Sequence, residues 1–148
     1  MAVWWVNLGQ EFEVQKEAKA LWCPNKSVKK ESGELTNPQW HWKTIQWVQP
    51  GEIIVCCKRE NIMGIAIAQS VAINNEPQLP GMDLDARWHT HGWRLPLDFI
   101  LASNPIPRQE VLDLLIDPYV EKGPFSKLKG RLKQTYFTKL AAKHSTII

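Results

Sequence analysis

The chain has 148 residues and a formal net charge of +3, enough length for one domain with its own hydrophobic core. Apolar residues make up 44% and charged residues 22%, as is ordinary for a soluble globular protein. Its longest apolar runs, such as Ile53–Cys57, are strand-length, which excludes a membrane span. Met1–Gly9 has neither the basic nor the apolar region of a secretory signal, so we expect none, and three cysteines, two of them adjacent, argue against a disulfide framework. We therefore expect a single cytoplasmic domain over residues 1–148.

The positive charge is concentrated in two places. From Pro124 to Lys143 the sequence has no acidic residue, and a second basic set follows Trp22. The residues we expect to contact phosphates are Lys127, Lys129, Arg131, Lys133, Lys29 and Lys30. Basic patches interleaved with aromatic residues are typical of nucleic-acid binding, because phosphates supply most of the affinity. A merely solvated basic face is the alternative.

Eight tryptophans stand out in a chain of this length. They are Trp4, Trp5, Trp22, Trp40, Trp42, Trp47, Trp88 and Trp93. Each buried indole needs an acceptor for its N–H group, so a core built from all of them is costly. Aromatic faces also stack on planar bases and on methylated or cationic groups. We therefore expect some tryptophans to face a ligand, against the alternative of an aromatic core, with Trp40 and Trp47 interpreted as structural.

The first third of the chain predicts a strand, a helix and a loop. Ala2–Leu8 is a β-prone run, and Glu11–Leu21 has helical composition with a loose apolar face. Cys23–Asn37 is polar and is predicted to be a surface loop. The aromatic segment Trp40–Val48 follows, and Gln49-Pro50-Gly51 has the residues of a type II turn.

The middle of the chain predicts a sheet followed by a long loop. Glu52–Lys58 reads as a central strand that turns at Arg59-Glu60-Asn61. Ile62–Ile73 is a returning strand pair or one bent strand, with Gly64 as a bulge. Asn74–Arg87 is rich in Pro and Asp, and a loop of this length inside a domain is usually functional or mobile.

The last third predicts one more long strand, helices and a closing strand. Gly92–Leu101 alternates like a strand, and Pro96 places it at a sheet edge or bulge. After a turn over Ser103–Pro107, we expect helices at Arg108–Ile116 and Phe125–Leu132. A last strand is predicted at Gln134–Leu140. These elements indicate an α+β domain, a small twisted β-barrel flanked by helices.

Five segments, in order, resemble the PUA-like superfamily. Leu21-Trp22-Cys23 is similar to the start of YTH domains, where a tryptophan opens the modified-base pocket. Val48 to Ile54 resembles the path into the central strand of EVE and other PUA-like domains, and Ile62 to Ala68 resembles their next strand. Trp88 to Pro107 resembles a YTH stretch of tryptophan, glycine and strand. Pro124 to Tyr136 is similar to the end of EVE-like domains fused to modification-dependent restriction endonucleases.

The resemblance implies a reader that extrudes one base and holds it between aromatic rings. Trp22 and Trp88 match the YTH tryptophans and are the implied cage walls, with Trp42 or Trp93 as a further wall. A methyl group on the base would fill the aromatic slot, which is worth about 1–3 kcal/mol in a hydrophobic pocket.

The same resemblance implies how the polar edge of the base is read. Asn7 matches the polar end of the first YTH strand, and its amide both donates and accepts hydrogen bonds. Main-chain groups near Cys23 and Gly64 complete the contact, since glycine allows close backbone approach. The basic residues of the C-terminal run would hold the phosphates, without reading sequence.

Two other patterns, a pair of histidines and two adjacent cysteines, bear on metal binding and thiol chemistry. His89 and His91 place two imidazoles on one side of an extended segment, but no further ligand stands at metal-ligand spacing. Cys56-Cys57 would point to opposite faces of a strand and fit small buried hydrophobes. We find no nuclease or nucleotide-binding motif. The sequence therefore predicts no metal, no cofactor and no catalytic residue.

These features predict a binding domain of the EVE/YTH type that recognises a modified, methylated base in DNA. It would be the recognition domain of a modification-dependent restriction system, acting with a nuclease or NTPase domain or subunit, or a stand-alone relative. A YTH-like reader of methylated adenosine in RNA is one alternative. A small nucleic-acid-processing enzyme that uses His89 and His91 is another, and a protein-interaction module is a third.

Overall fold

This computed structural model describes residues 2–83, 88–107 and 137–139. They contain nine strands and two short α-helices. The strands are β1 (Val3–Asn7), β2 (Ala20–Pro24), β3 (Ser27–Val28), β4 (Leu35–Thr36), β5 (Ile53–Lys58), β6 (Asn61–Ala68), β7 (Ile73–Pro77), β8 (His91–Pro107) and β9 (Phe137–Lys139). The α-helices are α1 (Phe12–Ala18) and α2 (Trp40–Lys43), and 3-10 turns cover Gly9–Glu11 and Thr44–Trp47. Within these ranges no helix is long and apolar enough to cross a membrane.

Seven of the strands form one curled sheet in the order β2-β8-β6-β5-β1-β9, and β7 pairs with the first part of β8 on the edge opposite β2. β1 and β5 run parallel, whereas the other pairs are antiparallel. β3 and β4 form a separate hairpin. The sheet curls into a half-barrel with the two helices beside it, so the predicted α+β architecture is confirmed.

The N-terminal predictions are right about the first strand and wrong about two boundaries. The helix ends three residues earlier than predicted, because Lys19 adopts a left-handed conformation with φ 52° and its N–H bonds to the carbonyls of Gln15 and Lys16. A left-handed residue after the last turn is a common helix stop. The predicted loop Cys23–Asn37 is also structured, since its first two residues complete β2 and the β3–β4 hairpin follows.

The predicted turn and central strand are confirmed. Gly51 has φ 85°, and the Glu52 N–H bonds to the Gln49 carbonyl oxygen at 3.1 Å, as a type II turn requires. β5 then runs between β1 and β6. The expected bulge is present, because the pairing of β6 with β8 shifts register between Ile62 and Gly64.

β8 differs most from its prediction. It continues through the expected turn at Ser103–Pro107, and it is an interior strand rather than an edge. β8 pairs with β2 up to Pro96 and with β6 from Leu97 onward. Pro96 therefore stands where β8 changes partner, and its carbonyl accepts the Gln69 N–H at 3.0 Å. A missing N–H is tolerated at such a junction.

The remaining predictions are tested only in part. β7 occupies the start of the predicted loop Asn74–Arg87, so that segment is not wholly irregular. The predicted last strand is confirmed over Phe137–Lys139, which pairs with β1. The helices predicted at Arg108–Ile116 and Phe125–Leu132 lie outside the described residues, as do Lys127, Lys129, Arg131 and Lys133.

β2 is buried on both faces, because two hydrophobic clusters lie on either side of it. Leu21 and Cys23 face the main core. Ala20 and Trp22 face a second cluster completed by Leu79 and Met82. Trp22 is 1% exposed, and its indole N–H bonds to the Glu76 carbonyl oxygen at 3.1 Å.

The adjacent cysteines behave as small buried hydrophobes. Cys56 and Cys57 are fully buried and form no disulfide. Burial raises the pKa of the Cys56 thiol to about 12, with a smaller contribution from Cys57. A thiol held so firmly in its protonated form is a poor nucleophile.

The buried carboxylate of Glu52 joins the N-terminal strand to the turn before β5. It accepts the Gln49 N–H at 2.7 Å, the Trp4 indole N–H at 3.2 Å and the Ala2 N–H. Burial alone would raise the pKa of Glu52, but these hydrogen bonds together hold it below its ordinary value. The carboxylate form is thus the one that the fold stabilises.

We expect Glu52→Gln to lower the free energy of unfolding at pH 7 by about 1–3 kcal/mol. Both oxygens of Glu52 accept N–H groups, and in the variant one of these N–H donors would face the NH₂ donor of the glutamine amide. The contribution of Glu52 is present above the ordinary glutamate pKa of about 4.3 and is lost as pH falls through the lower folded pKa. The difference between parent and variant should therefore shrink towards pH 3. Urea unfolding at a series of pH values measures it, and a difference that does not change with pH would contradict the assignment.

Because Trp22 is buried in the second cluster, we expect its substitution to change stability. Trp22→Ala should lower the free energy of unfolding by about 3–5 kcal/mol, as expected for a large buried side chain. Trp22→Phe should cost less, about 1–3 kcal/mol, since it mainly leaves the Glu76 carbonyl without its donor. Trp47, which is 56% exposed, supplies the control, and Trp47→Ala should change stability by less than about 0.5 kcal/mol. Parent-like unfolding of Trp22→Ala would refute the core role.

Candidate base-binding site

The tryptophans divide sharply by exposure. Five are buried: Trp4, Trp5, Trp22, Trp42 and Trp93. Trp40 and Trp88 are half-buried, and Trp47 is exposed. Trp47 is thus largely exposed, and its interpretation as structural stays a prediction. Of the four expected cage tryptophans, only Trp88 offers an accessible face in this conformation.

Internal acceptors remove much of the cost of burying these indoles. Three buried tryptophans donate their N–H groups to atoms of the fold at 3.0–3.2 Å. The donor–acceptor pairs are Trp4 with Glu52, Trp5 with Asn7, and Trp22 with Glu76. A satisfied indole is compatible with a core position. Crowding of tryptophans therefore does not by itself require a ligand.

β2 and β8 meet where a glycine is obligatory. Gly92 stands opposite Pro24, and a Cβ atom on it would lie 2.0 Å from the Cys23 carbonyl oxygen. Beyond this contact, the Asn25 N–H bonds to the His91 carbonyl oxygen at 3.2 Å. The close approach at Gly92 thus sets the register between the end of β2 and the segment that leads into β8.

That segment carries Trp88, and its Thr90 carbonyl oxygen accepts the Gln78 N–H at 3.0 Å. Trp88 forms an isolated bridge with Ser27, and the His89 N–H bonds to the Lys26 carbonyl oxygen at 3.3 Å. The Trp88 ring packs edge-to-face against Trp42, with centroids 5.6 Å apart and an interplanar angle of 70°. We call the group formed by Asn25, Trp42, Trp88, His89 and His91 the Trp88 site.

The Trp88 site is closed in this conformation. A base held between two rings needs parallel planes about 7 Å apart, twice the ordinary contact distance of about 3.5 Å. The edge-to-face pair of Trp42 and Trp88 provides no such slot. Binding of a base between them therefore requires the Trp88 ring to turn or its segment to move.

Two histidines line the site beside Trp88. The rings of His89 and His91 are 5.6 Å apart, and His91 Nδ1 lies 3.1 Å from the Thr90 hydroxyl. Imidazole nitrogens donate to or accept from base edges and phosphates. In the described ranges, no group of three or more His, Cys, Asp or Glu side chains could hold a metal ion.

His41 extends the aromatic contacts behind Trp42. It packs edge-to-face against both Trp40 and Trp42, with centroids 5.6 and 6.0 Å away. Partial burial lowers the pKa of His41, because desolvation disfavours the imidazolium form. The wall behind Trp42 is therefore neutral at pH 7.

Asn25 is a site residue that no sequence pattern indicated. Its Nδ2 donates to Asn74 Oδ1 at 2.9 Å, and the Asn75 N–H donates to that same oxygen at 2.8 Å. Since a backbone N–H identifies the Asn74 atom as oxygen, the Asn25 atom facing it must be nitrogen. Asn25 Oδ1 is thereby turned inward, where it is buried and has no hydrogen-bond partner among the described residues.

The structure places the expected polar readers elsewhere. Asn7 stands beside Cys57 on β5, and its side-chain oxygen accepts the Trp5 indole N–H. Gly64 pairs with Leu101, ten residues along β8 from His91, which is up to roughly 33 Å of extended strand. Neither residue lies at the Trp88 site.

Gly64 serves the packing of two strands. It has φ 151°, and a Cβ atom there would lie 2.4 Å from the Ile100 carbonyl oxygen of β8. Cys23 lies next to the Trp88 site but is buried, with its thiol 3.5 Å from the Trp42 carbonyl oxygen. Its carbonyl faces Gly92 and not an open pocket.

The β3–β4 hairpin brings basic residues near the Trp88 site. It follows directly on Asn25, and Ser27 bridges Trp88. Lys29 and Lys30 are exposed, but Lys29 is 3.4 Å from the Glu34 carboxylate. Such an exposed ion pair is worth little, so a phosphate could replace Glu34.

Solved structures share this fold over almost the whole chain. Rpa0253 from Rhodopseudomonas palustris is 14% identical, with a TM-score of 0.54 and coverage of 100% of this chain and 90% of that one. Protein PSPTO5229 from Pseudomonas syringae is 13% identical, with a TM-score of 0.53 and coverage of 98% and 95%. The YTH domain-containing protein mmi1, solved in a complex with RNA, is 14% identical, with a TM-score of 0.51 and coverage of 98% and 78%.

No protein-family model matches the sequence, and no curated protein shows a sequence match to it. At 9–14% identity, the structural likeness bears on the fold and not on the ligand. The chain has a YTH/PUA-like fold, as the sequence predicted.

Proposed function

We propose that this chain is a reader of a modified base in nucleic acid and that the Trp88 site is its pocket. The observation that carries the proposal is the Trp88 site itself. A half-buried indole packs edge-to-face against a buried one, and the same end of β8 carries His89 and His91, with Asn25 bonded to the backbone of His91. Aromatic faces supply stacking, and a few polar atoms supply orientation, as pockets for planar ligands require.

Binding would begin with extrusion of the base from its strand. The Trp88 segment, which is held by the Ser27 bridge and by backbone hydrogen bonds to Lys26 and Gln78, opens and lets the base stack on the Trp88 ring. A methyl group on the base then packs against Trp42, gaining about 1–3 kcal/mol over the unmodified base. Trp22 and Trp93 support the pocket from within the two hydrophobic clusters.

Backbone contacts would supply sequence-independent affinity. Lys29 and Lys30 lie on the hairpin next to Trp88, where a strand leaving the pocket would pass. We propose the same role for the C-terminal basic residues Lys127, Lys129, Arg131 and Lys133, from their sequence alone. Each phosphate contact steepens the salt dependence of binding.

We propose modified DNA as the polymer and a modification-dependent restriction system as the cytoplasmic context, with a nuclease or NTPase domain or subunit as partner. The support is the similarity of residues 124–136 to EVE-like domains of such systems. A YTH-like reader of methylated adenosine in RNA is the second candidate. The YTH domain-containing protein mmi1, which has the same fold, was solved with RNA.

Trp88→Ala should weaken binding to a strand carrying the recognised modified base by about ten-fold or more, because stacking contributes about 1–3 kcal/mol per base. Fluorescence anisotropy with labelled oligonucleotides measures the change. Trp47→Ala is the matched control, since it removes an exposed tryptophan outside the Trp88 site and should leave affinity unchanged. Equal losses in the two variants, or none in either, would place the pocket elsewhere.

One competition experiment separates the candidate ligands. The same sequence is prepared as DNA with 5-methylcytosine, 5-hydroxymethylcytosine, N6-methyladenine or no modification, and as RNA with and without N6-methyladenosine. A DNA reader should prefer one modified duplex over its unmodified form by about ten-fold, matching the 1–3 kcal/mol of a buried methyl group. Preference for the methylated RNA would select the second candidate.

The same samples test for catalysis. After long incubation with Mg²⁺, Mn²⁺ or Zn²⁺, a reader should return each oligonucleotide unbroken and with its base unchanged by mass. Cleavage or base conversion that disappears in His89→Ala or His91→Ala would move the chain to the enzyme class.

A further inference from the structure

The side chain of Asn25 contains an unused acceptor. Its Oδ1 atom is buried and has no hydrogen-bond partner among the described residues, while its Nδ2 is held by Asn74. Native folds rarely leave a buried carbonyl oxygen unpaired, because its lost hydration is not recovered. Where one persists, a ligand or a bound water is the usual reason.

The unused acceptor lies beside the Trp88 site. Asn25 stands directly across from His91, and directly opposed residues of antiparallel strands present their side chains on the same face. Two pairs further along, Cys23 and Trp93 share that face, where the Cys23 thiol contacts the Trp42 carbonyl oxygen. The oxygen thus sits at the rim of the core that ends in Trp42 and Trp88.

We infer that Asn25 Oδ1 determines specificity by accepting an N–H from the exocyclic amino group of the extruded base. This inference rests on the proposed function. It excludes thymine and uracil, which have no exocyclic amino group, and restricts the ligand to bases that keep at least one hydrogen on that amino nitrogen; adenine and cytosine derivatives are the ones tested below. A single methyl on the amino group, or a methyl on ring carbon 5, is compatible, whereas two methyl groups on the amino nitrogen remove the only donor.

Opening of the site is what makes the oxygen accessible. Trp88 and His89 are joined to the residues after β2 by the Ser27 bridge and by the 3.3 Å bond to Lys26, and the next residue, Thr90, accepts the Gln78 N–H at 3.0 Å. The inference requires that release of these contacts exposes Asn25 Oδ1 to the base, while the bond from Nδ2 to Asn74 keeps the amide in its present orientation. Asn74 is therefore a positioning residue, and Asn25 is the contact residue.

The test compares oligonucleotides whose modified base does or does not keep a hydrogen on the exocyclic amino nitrogen. Affinities of the full chain are measured for N6-methyladenine against N6,N6-dimethyladenine, and for 5-methylcytosine against its N4,N4-dimethyl analogue. For whichever base the parent protein prefers, loss of the donor should weaken binding by about ten- to a hundred-fold. Each pair carries the same ring and charge, so the ratio reports the N–H contact.

Variants test whether Asn25 causes the difference in affinity between the two members of a pair. Asn25→Leu removes the acceptor with little change in volume, so the ratio should fall to about one, without a lower melting temperature. Asn74→Ala frees the Asn25 amide and should give an intermediate ratio, whereas Asn74→Asp keeps the acceptor for Nδ2 and should preserve the parent's ratio. If Asn25→Leu fails to fold, the two Asn74 variants still decide.

Two results would overturn the inference, and they differ in what they say about the proposed function. If the parent prefers a modified strand but binds both members of its pair equally, Asn25 does not read the amino group and the reader function stands. If the parent prefers no modified strand at all, both are wrong. An unchanged ratio in Asn25→Leu would also overturn the role of this oxygen.

Discussion

The contact between β2 and β8 is the constraint on which the rest of the structure depends. At Gly92 the two backbones approach so closely that any side chain would collide with the Cys23 carbonyl oxygen. This pairing buries β2 between two hydrophobic clusters and sets Asn25 opposite His91. Core and site therefore share one register, and a slip of one residue would exchange the faces of Trp22 and Cys23.

The tryptophans show how a small core can bury several indole rings. A buried indole is acceptable where the fold supplies an acceptor, and Glu52, Asn7 and Glu76 supply three of them. Of the four tryptophans expected to form the cage, Trp88 alone keeps an accessible face, and it precedes the start of β8. The site is small because most of the aromatic surface already has partners within the fold.

The Trp88 site combines two features that a core avoids. Trp88 lies outside the strands and pairs through an isolated bridge to Ser27, and the buried amide oxygen of Asn25 has no partner among the described residues. Local rules of packing and polar satisfaction are broken most often where a protein binds or reacts. The conjunction of these features at one end of β8 is what supports binding there.

The sequence by itself determined the local structure well. β-prone runs predicted β1 and β5, and Pro50-Gly51 predicted the turn between α2 and β5, because backbone preference depends on the residues themselves. The motif order also indicated the YTH/PUA-like fold. Boundaries were less certain, since the left-handed stop at Lys19 has no glycine to announce it.

Only the tertiary structure decided which residues reach a ligand. Trp22 and Trp88 look alike in sequence, yet Trp22 is sealed beneath Leu79 and Met82 while Trp88 stays half-buried. Exposure depends on segments distant along the chain, as β2 and β8 show, and no local pattern encodes it. The orientation of the Asn25 amide likewise depends on a distant segment, because a hydrogen bond to Asn74 turns its oxygen inward.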